Sequence, residues 1–163
     1  MRPPVIGVMG PGQGADAATL ENAGQLGRLI AEAGWVLLTG GQAVGVMDAA
    51  SRAARDAGGL VIGVLPQDHA GNASDGVTVA IVTGMGSARN NINVLSSDVV
   101  IACGMGPGTA SEVALAIKAG KPVILLGCGA GAEGLFKGMS SDIRVAEIVN
   151  EAITVGQNLL GKE

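Results

Sequence analysis

Short runs of aliphatic residues, rich in β-branched side chains, recur along the chain at residues 5–9, 36–39, 60–65, 77–82, 99–102 and 123–126. These runs are apolar at consecutive positions rather than alternate ones, the mark of strands buried on both faces. The stretches between them, residues 17–33, 44–57, 89–96 and 109–119, are Ala-rich and carry Glu, Arg and Lys spaced along one side, as surface helices do. Strand and helix in regular alternation imply right-handed βαβ units and a parallel sheet. The expected fold is a single Rossmann-like α/β domain over residues 1–163, with about six to seven parallel strands and helices on both faces.

Glycine punctuates this pattern. Gly34, Gly58 and Gly120 each follow an alanine that ends a helical stretch, where the chain must turn left-handed before the next strand, so their role is structural. Residues 141–160 read as a last helix, with Asp142 as N-cap and Val145, Ile148, Val149, Ala152 and Val155 on an apolar side that packs on the sheet or on another subunit. The long irregular connection, PQDHAGNASDG at 66–76, is either a lid or a surface excursion. It contains the only histidine, His69, which reads as a solvated loop residue because no nucleophile is placed beside it by sequence order.

Composition narrows the function. Trp35 and Phe136 are the only aromatics and no Tyr is present, so the stacking surfaces of single-strand nucleic-acid readers are missing. A net charge of −4 likewise opposes a phosphate-neutralising basic face, and no nucleic-acid partner is expected. Cys103 and Cys128 lack metal-ligand spacing and read as reduced, buried thiols, with no metal site expected. No apolar run approaches the ~18–20 residues of a membrane span, and the N-terminus is unlike a signal peptide, so a cytoplasmic protein is expected.

The chain has 28 glycines, far above the average ~7% usage, in neither a collagen period nor a flexible linker. Many gather in four turns that follow strands: GPGQGAD at 10–16, TGGQAVGVMD at 39–48, TGMGSARN at 83–90 and GMGPGTASE at 104–112. In an open parallel sheet all four lie at the carboxyl edge, where ligands bind. Each leads into a helix whose N-terminal amides and dipole favour an anion, with phosphate the natural guest. GPGQG lacks the third glycine of GxGxxG, and GxxxxGK[ST] is absent, which disfavours a conventional dinucleotide site or P-loop.

The fourth turn is the most specific. Gly106-Pro107-Gly108 enters a helix with Thr109 and Ser111 in its first turn, so hydroxyls and amides converge where Glu112 follows one turn in. Glu112 either hydrogen-bonds a sugar or pterin or complements the helix dipole. Arg89 is one of few cations near a strand end and is suited to bidentate phosphate contact, the alternative being a surface ion pair. The candidate ligand-binding set is Gly10, Gly12, Gly40, Gly41, Arg89, Asn90, Gly104, Gly106, Gly108, Thr109, Ser111 and Glu112.

Taken together, GGQAVGVMDAA at 40–50, GSARN at 86–90 and GPGTASE at 106–112 resemble the lysine-decarboxylase-like Rossmann superfamily, which includes the cytokinin-activating phosphoribohydrolases. From residue 5 to about residue 126 the chain is most similar to the molybdenum cofactor carrier proteins of that superfamily. The resemblance implies a Rossmann-like homo-oligomer, often a tetramer, that binds and protects a molybdopterin-type cofactor before passing it to an apo-molybdoenzyme. The phosphoribohydrolases carry PGGxGTxEE; here the leading Pro-Gly is replaced and Ser111 stands for the first of the paired glutamates, while Arg89 and Glu112 match. Loss of one glutamate favours binding without turnover. The alternatives are a nucleoside 5′-monophosphate phosphoribohydrolase using Glu112 and Arg89, or a nucleotide-sensing Rossmann module.

Overall fold

The computed structural model describes residues 1–161. Its strands are β1 (Val5–Met9), β2 (Val36–Thr39), β3 (Val61–Leu65), β4 (Val79–Val82), β5 (Val99–Cys103), β6 (Val123–Leu126) and β7 (Ile143–Ala146). They form one seven-stranded sheet in the order β4-β3-β2-β1-β5-β6-β7, and every pairing is parallel. The helices are α1 (Ala17–Glu32), α2 (Gly45–Asp56), α3 (Asn90–Ser96), α4 (Pro107–Lys118), α5 (Ala130–Met139) and α6 (Val149–Leu160), with a 3-10 turn at Gly86–Arg89 before α3. The Rossmann-like architecture expected from the strand–helix alternation is therefore the one observed.

Residues alternate across the sheet into two cores. Ile6, Val8, Val99, Ile101 and Cys103 face one side, where they meet Ala23, Leu26 and Ile30 of α1, Val46 and Ala50 of α2, and Val149 and Ala152 of α6. Met9, Val100, Ala102, Val123 and Leu125 face the other, against Val94 of α3, Val113 and Ala116 of α4, and Phe136 of α5. The period of two in the strands thus divides the helices three to a face. Helices α1 and α2 approach so closely at Gly27 that a Cβ there would run into the carbonyl oxygen of Ala50. Gly34, Gly58 and Gly120 have φ of 72°, 79° and 66°, the left-handed geometry that stops α1, α2 and α4.

The C-terminal region departs from expectation. Residues 143–146 are strand β7 paired with β6 rather than the first turn of a helix, Asp142 lies in the turn before it, and Ile148 is the N-cap of α6. Four residues of Ile-Arg-Val-Ala are too few for a helical period to be told from a strand, and the β-branched Ile143 and Val145 favour the extended form. The apolar side of α6 packs on its own sheet through Val149 and Ala152. Helix α5 carries little sequence signal, because Gly131, Gly134 and Gly138 lower its helical propensity.

A candidate anion site at the switch point

The chain runs outward from β1 to β4, then returns to place β5 on the other side of β1. The turns after β1 and β5 therefore lead away in opposite directions, and a crevice opens between them at the carboxyl edge. A cavity of about 540 Å³ occupies this position, within the ~300–1,000 Å³ of small-molecule sites. Val8 and Met9 of β1 line it, and its walls come from the turns after β1, β2, β4 and β5, with Pro66 added from the connection after β3.

Nine of the twelve residues singled out from sequence line this cavity: Gly10, Gly12, Gly40, Arg89, Asn90, Gly106, Gly108, Thr109 and Glu112. Gly41, Gly104 and Ser111 are not among its lining. Gly41 has φ 76° and abuts Gly63 of β3, while Gly104 has φ 74° and abuts the Thr19 side chain, so both serve chain geometry. Ser111 is solvent-exposed, and its hydroxyl donates to the Gly108 carbonyl at 2.6 Å. Pro11, Gln13, Gln42, Met47 and Ser87 also line the cavity and were not anticipated. They belong to three of the same four sequence turns, Met47 already on α2, and nothing in their residue types marks them as facing a cavity.

The helix starts differ in what they offer. At α1, Asp16 accepts from the Thr19 amide at 2.7 Å, so this terminus is capped by its own chain. At α4 no side chain caps Gly106, Pro107 brings no N–H, and the Ala110 amide already donates to the Gly106 carbonyl at 2.8 Å. The amides of Gly108 and Thr109 remain as first-turn donors without an intrahelical acceptor. Thr109 is 2% exposed, and its Oγ1 has no hydrogen-bond partner among the described residues. Helix α2 also lacks a side-chain cap, but its Val46 amide donates to the Pro11 carbonyl at 3.1 Å, which ties the first two turns together.

Arg89 is buried at the end of the 3-10 turn, 8% exposed. Its guanidinium lies against Gly40, where a Cβ would come within 2.8 Å of Nη2 and 2.7 Å of the Met47 sulfur. Nη1 donates to Asn90 Oδ1 at 2.6 Å and stands 3.8 Å from Glu112 Oε1, while Nε has no partner among the described residues. Burial lowers the Arg89 pKa, partly opposed by the Glu112 carboxylate. Burial also pushes the Glu112 carboxyl up to about 7, against the lowering effects of a 2.9 Å hydrogen bond from Asn93 and of Arg89 itself. Asn93, fully buried on α3, was not singled out from sequence, although a polar residue one turn beyond Arg89 on a core-facing helix was a usable signal. Of the two sequence readings of Arg89, a surface ion pair does not fit a buried guanidinium.

The remaining chemistry-bearing residues lie elsewhere. Cys103 and Cys128 are free and buried, with thiols pushed up to about 12 and about 11 by burial first of all, so both resist ionisation. His69 is exposed and its Nδ1 accepts from the Gly71 amide at 3.1 Å. Of the 66–76 connection, only Pro66 lines the cavity; farther on, the Ser74 amide donates to the Gly41 carbonyl and the Ala43 amide to the Asn72 carbonyl, pinning the segment over the second turn. Among the described residues no group of His, Cys, Asp and Glu is arranged to hold a metal ion, and no helix is long and apolar enough to cross a membrane.

Fold and cavity together define a class: a Rossmann-like domain whose carboxyl-edge crevice is lined by the first turn of α4, a buried arginine and a buried carboxyl whose pKa burial raises. The chain belongs to the SLOG cluster4 family, whose model matches residues 3–155. It is 56% identical to the molybdenum cofactor binding protein from the phototrophic bacterium Rippkaea orientalis, with a TM-score of 0.97 over 98% of this chain and 99% of that one. It is 52% identical to the Moco carrier protein from Chlamydomonas reinhardtii, with a TM-score of 0.94 over 99% of this chain and 100% of that one. A protein of Archaeoglobus fulgidus is 43% identical over 148 residues, 91% of each chain. The resemblance to molybdenum cofactor carrier proteins read from the three motifs is borne out.

Proposed function

We propose that this protein binds molybdenum cofactor as cargo and carries it, holding the cofactor's phosphate in the switch-point cavity. The observation that carries this reading is the convergence of the uncapped α4 N-terminus, the orphaned Thr109 hydroxyl and the buried Arg89 on one cavity. Unsatisfied donors in a buried wall are costly unless an acceptor arrives, and phosphate supplies several acceptor oxygens at once. The two solved relatives, a molybdenum cofactor binding protein and a Moco carrier protein, supply the identity of the cargo. Gly12, Gly106 and Gly108 would bring bare backbone to it, Gly10 and Gly40 line the same wall while making room for neighbouring protein atoms, and Asn90 and Glu112 stand where they would meet its polar edge. Delivery to an apo-molybdoenzyme and a cytoplasmic address belong to the same reading.

The phosphoribohydrolase reading has one observation in its favour: Glu112 near pH 7 is poised to exchange a proton beside a cation. Against it, hydrolysis of glycosidic bonds ordinarily pairs two carboxylates, and Glu112 is the only carboxylate lining the cavity among the described residues. An anaerobic titration with molybdenum cofactor, run beside an AMP hydrolysis assay on the same preparation, separates the two. Saturable micromolar binding without release of adenine supports the carrier; release of adenine without cofactor binding assigns the hydrolase. AMP binding with neither cofactor binding nor hydrolysis assigns the nucleotide-sensing module.

A homo-oligomer, with a tetramer as the expected closed form, completes the proposal. With the apolar side of α6 spent on its own sheet, the surface that supports self-association is the β4 edge, where Val79, Ile81 and Val82 are 42–46% exposed. An open apolar edge strand is ordinarily covered.

A further inference from the structure

Ser111 lies outside the cavity yet is joined to it by a chain of hydrogen bonds. Arg89 Nη1 donates to Asn90 Oδ1 at 2.6 Å, Asn90 Nδ2 donates to Ser111 Oγ at 3.0 Å, and Ser111 Oγ donates to the Gly108 carbonyl at 2.6 Å. The direction of this chain is fixed by chemistry. A guanidinium can only donate, so the Asn90 amide must turn its oxygen to Arg89 and its nitrogen to Ser111. The Ser111 hydroxyl must then accept from Asn90 and spend its one proton on Gly108. Successive bonds of one polarity strengthen one another, and the chain ends on a residue of the first turn of α4 whose own amide is one of the two free donors.

Arg89 has few other restraints among the described residues. Its Nε has no partner there, and Glu112 stands off at 3.8 Å. The shortest contact that holds the guanidinium is the one to Asn90, which Ser111 anchors to α4. We propose that Ser111 is a positioning residue for the bound anion: through Asn90 it fixes Arg89 relative to the first turn of α4, so that cation and helix amides address one anionic group together. This rests on the reading of the cavity as an anion site and extends it to a residue that does not itself line the cavity but holds two residues that do. At the position where the phosphoribohydrolase motif has a carboxylate, a short hydroxyl here performs a mechanical role.

The test compares wild type with Ser111→Ala and Ser111→Thr, and reads Arg89 directly. In nitrogen-15 spectra of the ligand-free protein, the Arg89 Nε–H signal reports the pose and solvent access of the guanidinium. Ser111→Ala is expected to shift and broaden this signal, and Ser111→Thr, which keeps the hydroxyl, to restore it. Affinities for inorganic phosphate and for molybdenum cofactor should fall roughly three- to tenfold in the alanine variant, the effect of one lost hydrogen bond. The same change made on an Arg89→Ala background should cost nothing further. Since the hydroxyl is exposed, the melting temperature should stay close to that of wild type. An Arg89 signal unmoved by Ser111→Ala overturns the proposal, as does an affinity loss that persists without Arg89. If phosphate affinity and the Arg89 signal respond as expected while wild type fails to bind molybdenum cofactor, the positioning role stands and the cofactor-carrier reading falls.

Discussion

Glu112 carries the site's most distinctive electrostatic property, and its consequence is measurable without any ligand. Burial pushes its carboxyl up to about 7 in the fold from an ordinary value of 4.5. The native state therefore binds more protons than the unfolded chain across that interval, and stability declines with rising pH. The favourable contribution is complete below about pH 4.5 and is lost as pH rises through about 7, a change of roughly 3 kcal/mol. Urea denaturation at pH 5 and pH 8 should show this decline in wild type and a nearly flat profile in Glu112→Gln. An equal decline in both would place the titrating group elsewhere. At Gly40 the restraint is steric: a methyl would press on Met47 and on the Arg89 guanidinium, both ends of flexible side chains. Gly40→Ala should therefore displace Arg89, weakening phosphate affinity by about tenfold while leaving the fold intact. Isothermal titration beside a melting curve checks both halves of that expectation.

Helices and strands show where sequence information is strong and where it thins. Strands β1, β2 and β6 coincide with their apolar runs because continuous burial demands aliphatic residues at every position. The α4 start was legible to within two residues: a helix from 109, entered through Gly106-Pro107-Gly108, is expected from sequence, and the helix begins at Pro107 with Gly106 as N-cap, proline being well suited to the first helical position. Strand β7 was not legible, since four residues hold too little periodicity, and neither was the self-capping of α1, which depends on the rotamer of Asp16. Close packing between α1 and α2 is likewise invisible in a run of Ala and Gly until the two helices are seen in contact. Gly27→Ala should destabilise the protein by about 1–3 kcal/mol, because the new methyl meets the backbone of Ala50 rather than a movable side chain. Calorimetry should show a fall of several degrees in melting temperature; no change would mean that α1 and α2 separate at little cost.

For the whole molecule, topology decides what the sequence motifs alone left open. Four Gly-rich turns at one sheet edge suggested a shared site, but only the strand order shows that the turns after β1 and β5 flank the crevice and that Arg89, from the β4 side, reaches into it. Ser111 stands among the sequence candidates because its hydroxyl falls in the first turn of the helix; a helix turns adjacent residues by about 100°, which sends Glu112 inward and Ser111 outward. Assembly is tested at the same scale. Light scattering should give a homo-oligomer for wild type and a smaller species for Ile81→Lys, whose charge would be buried at the β4 edge. A wild-type monomer at micromolar concentration would contradict the assembly.

The proposed function places the phosphate of a molybdenum cofactor in the switch-point cavity. A crystal structure of the protein loaded anaerobically with that cofactor tests it most directly. Phosphate oxygens are expected within hydrogen-bonding distance of the Gly108 and Thr109 amides, the Thr109 hydroxyl and the Arg89 guanidinium. Cofactor density at another surface, with this cavity holding only solvent, would contradict it.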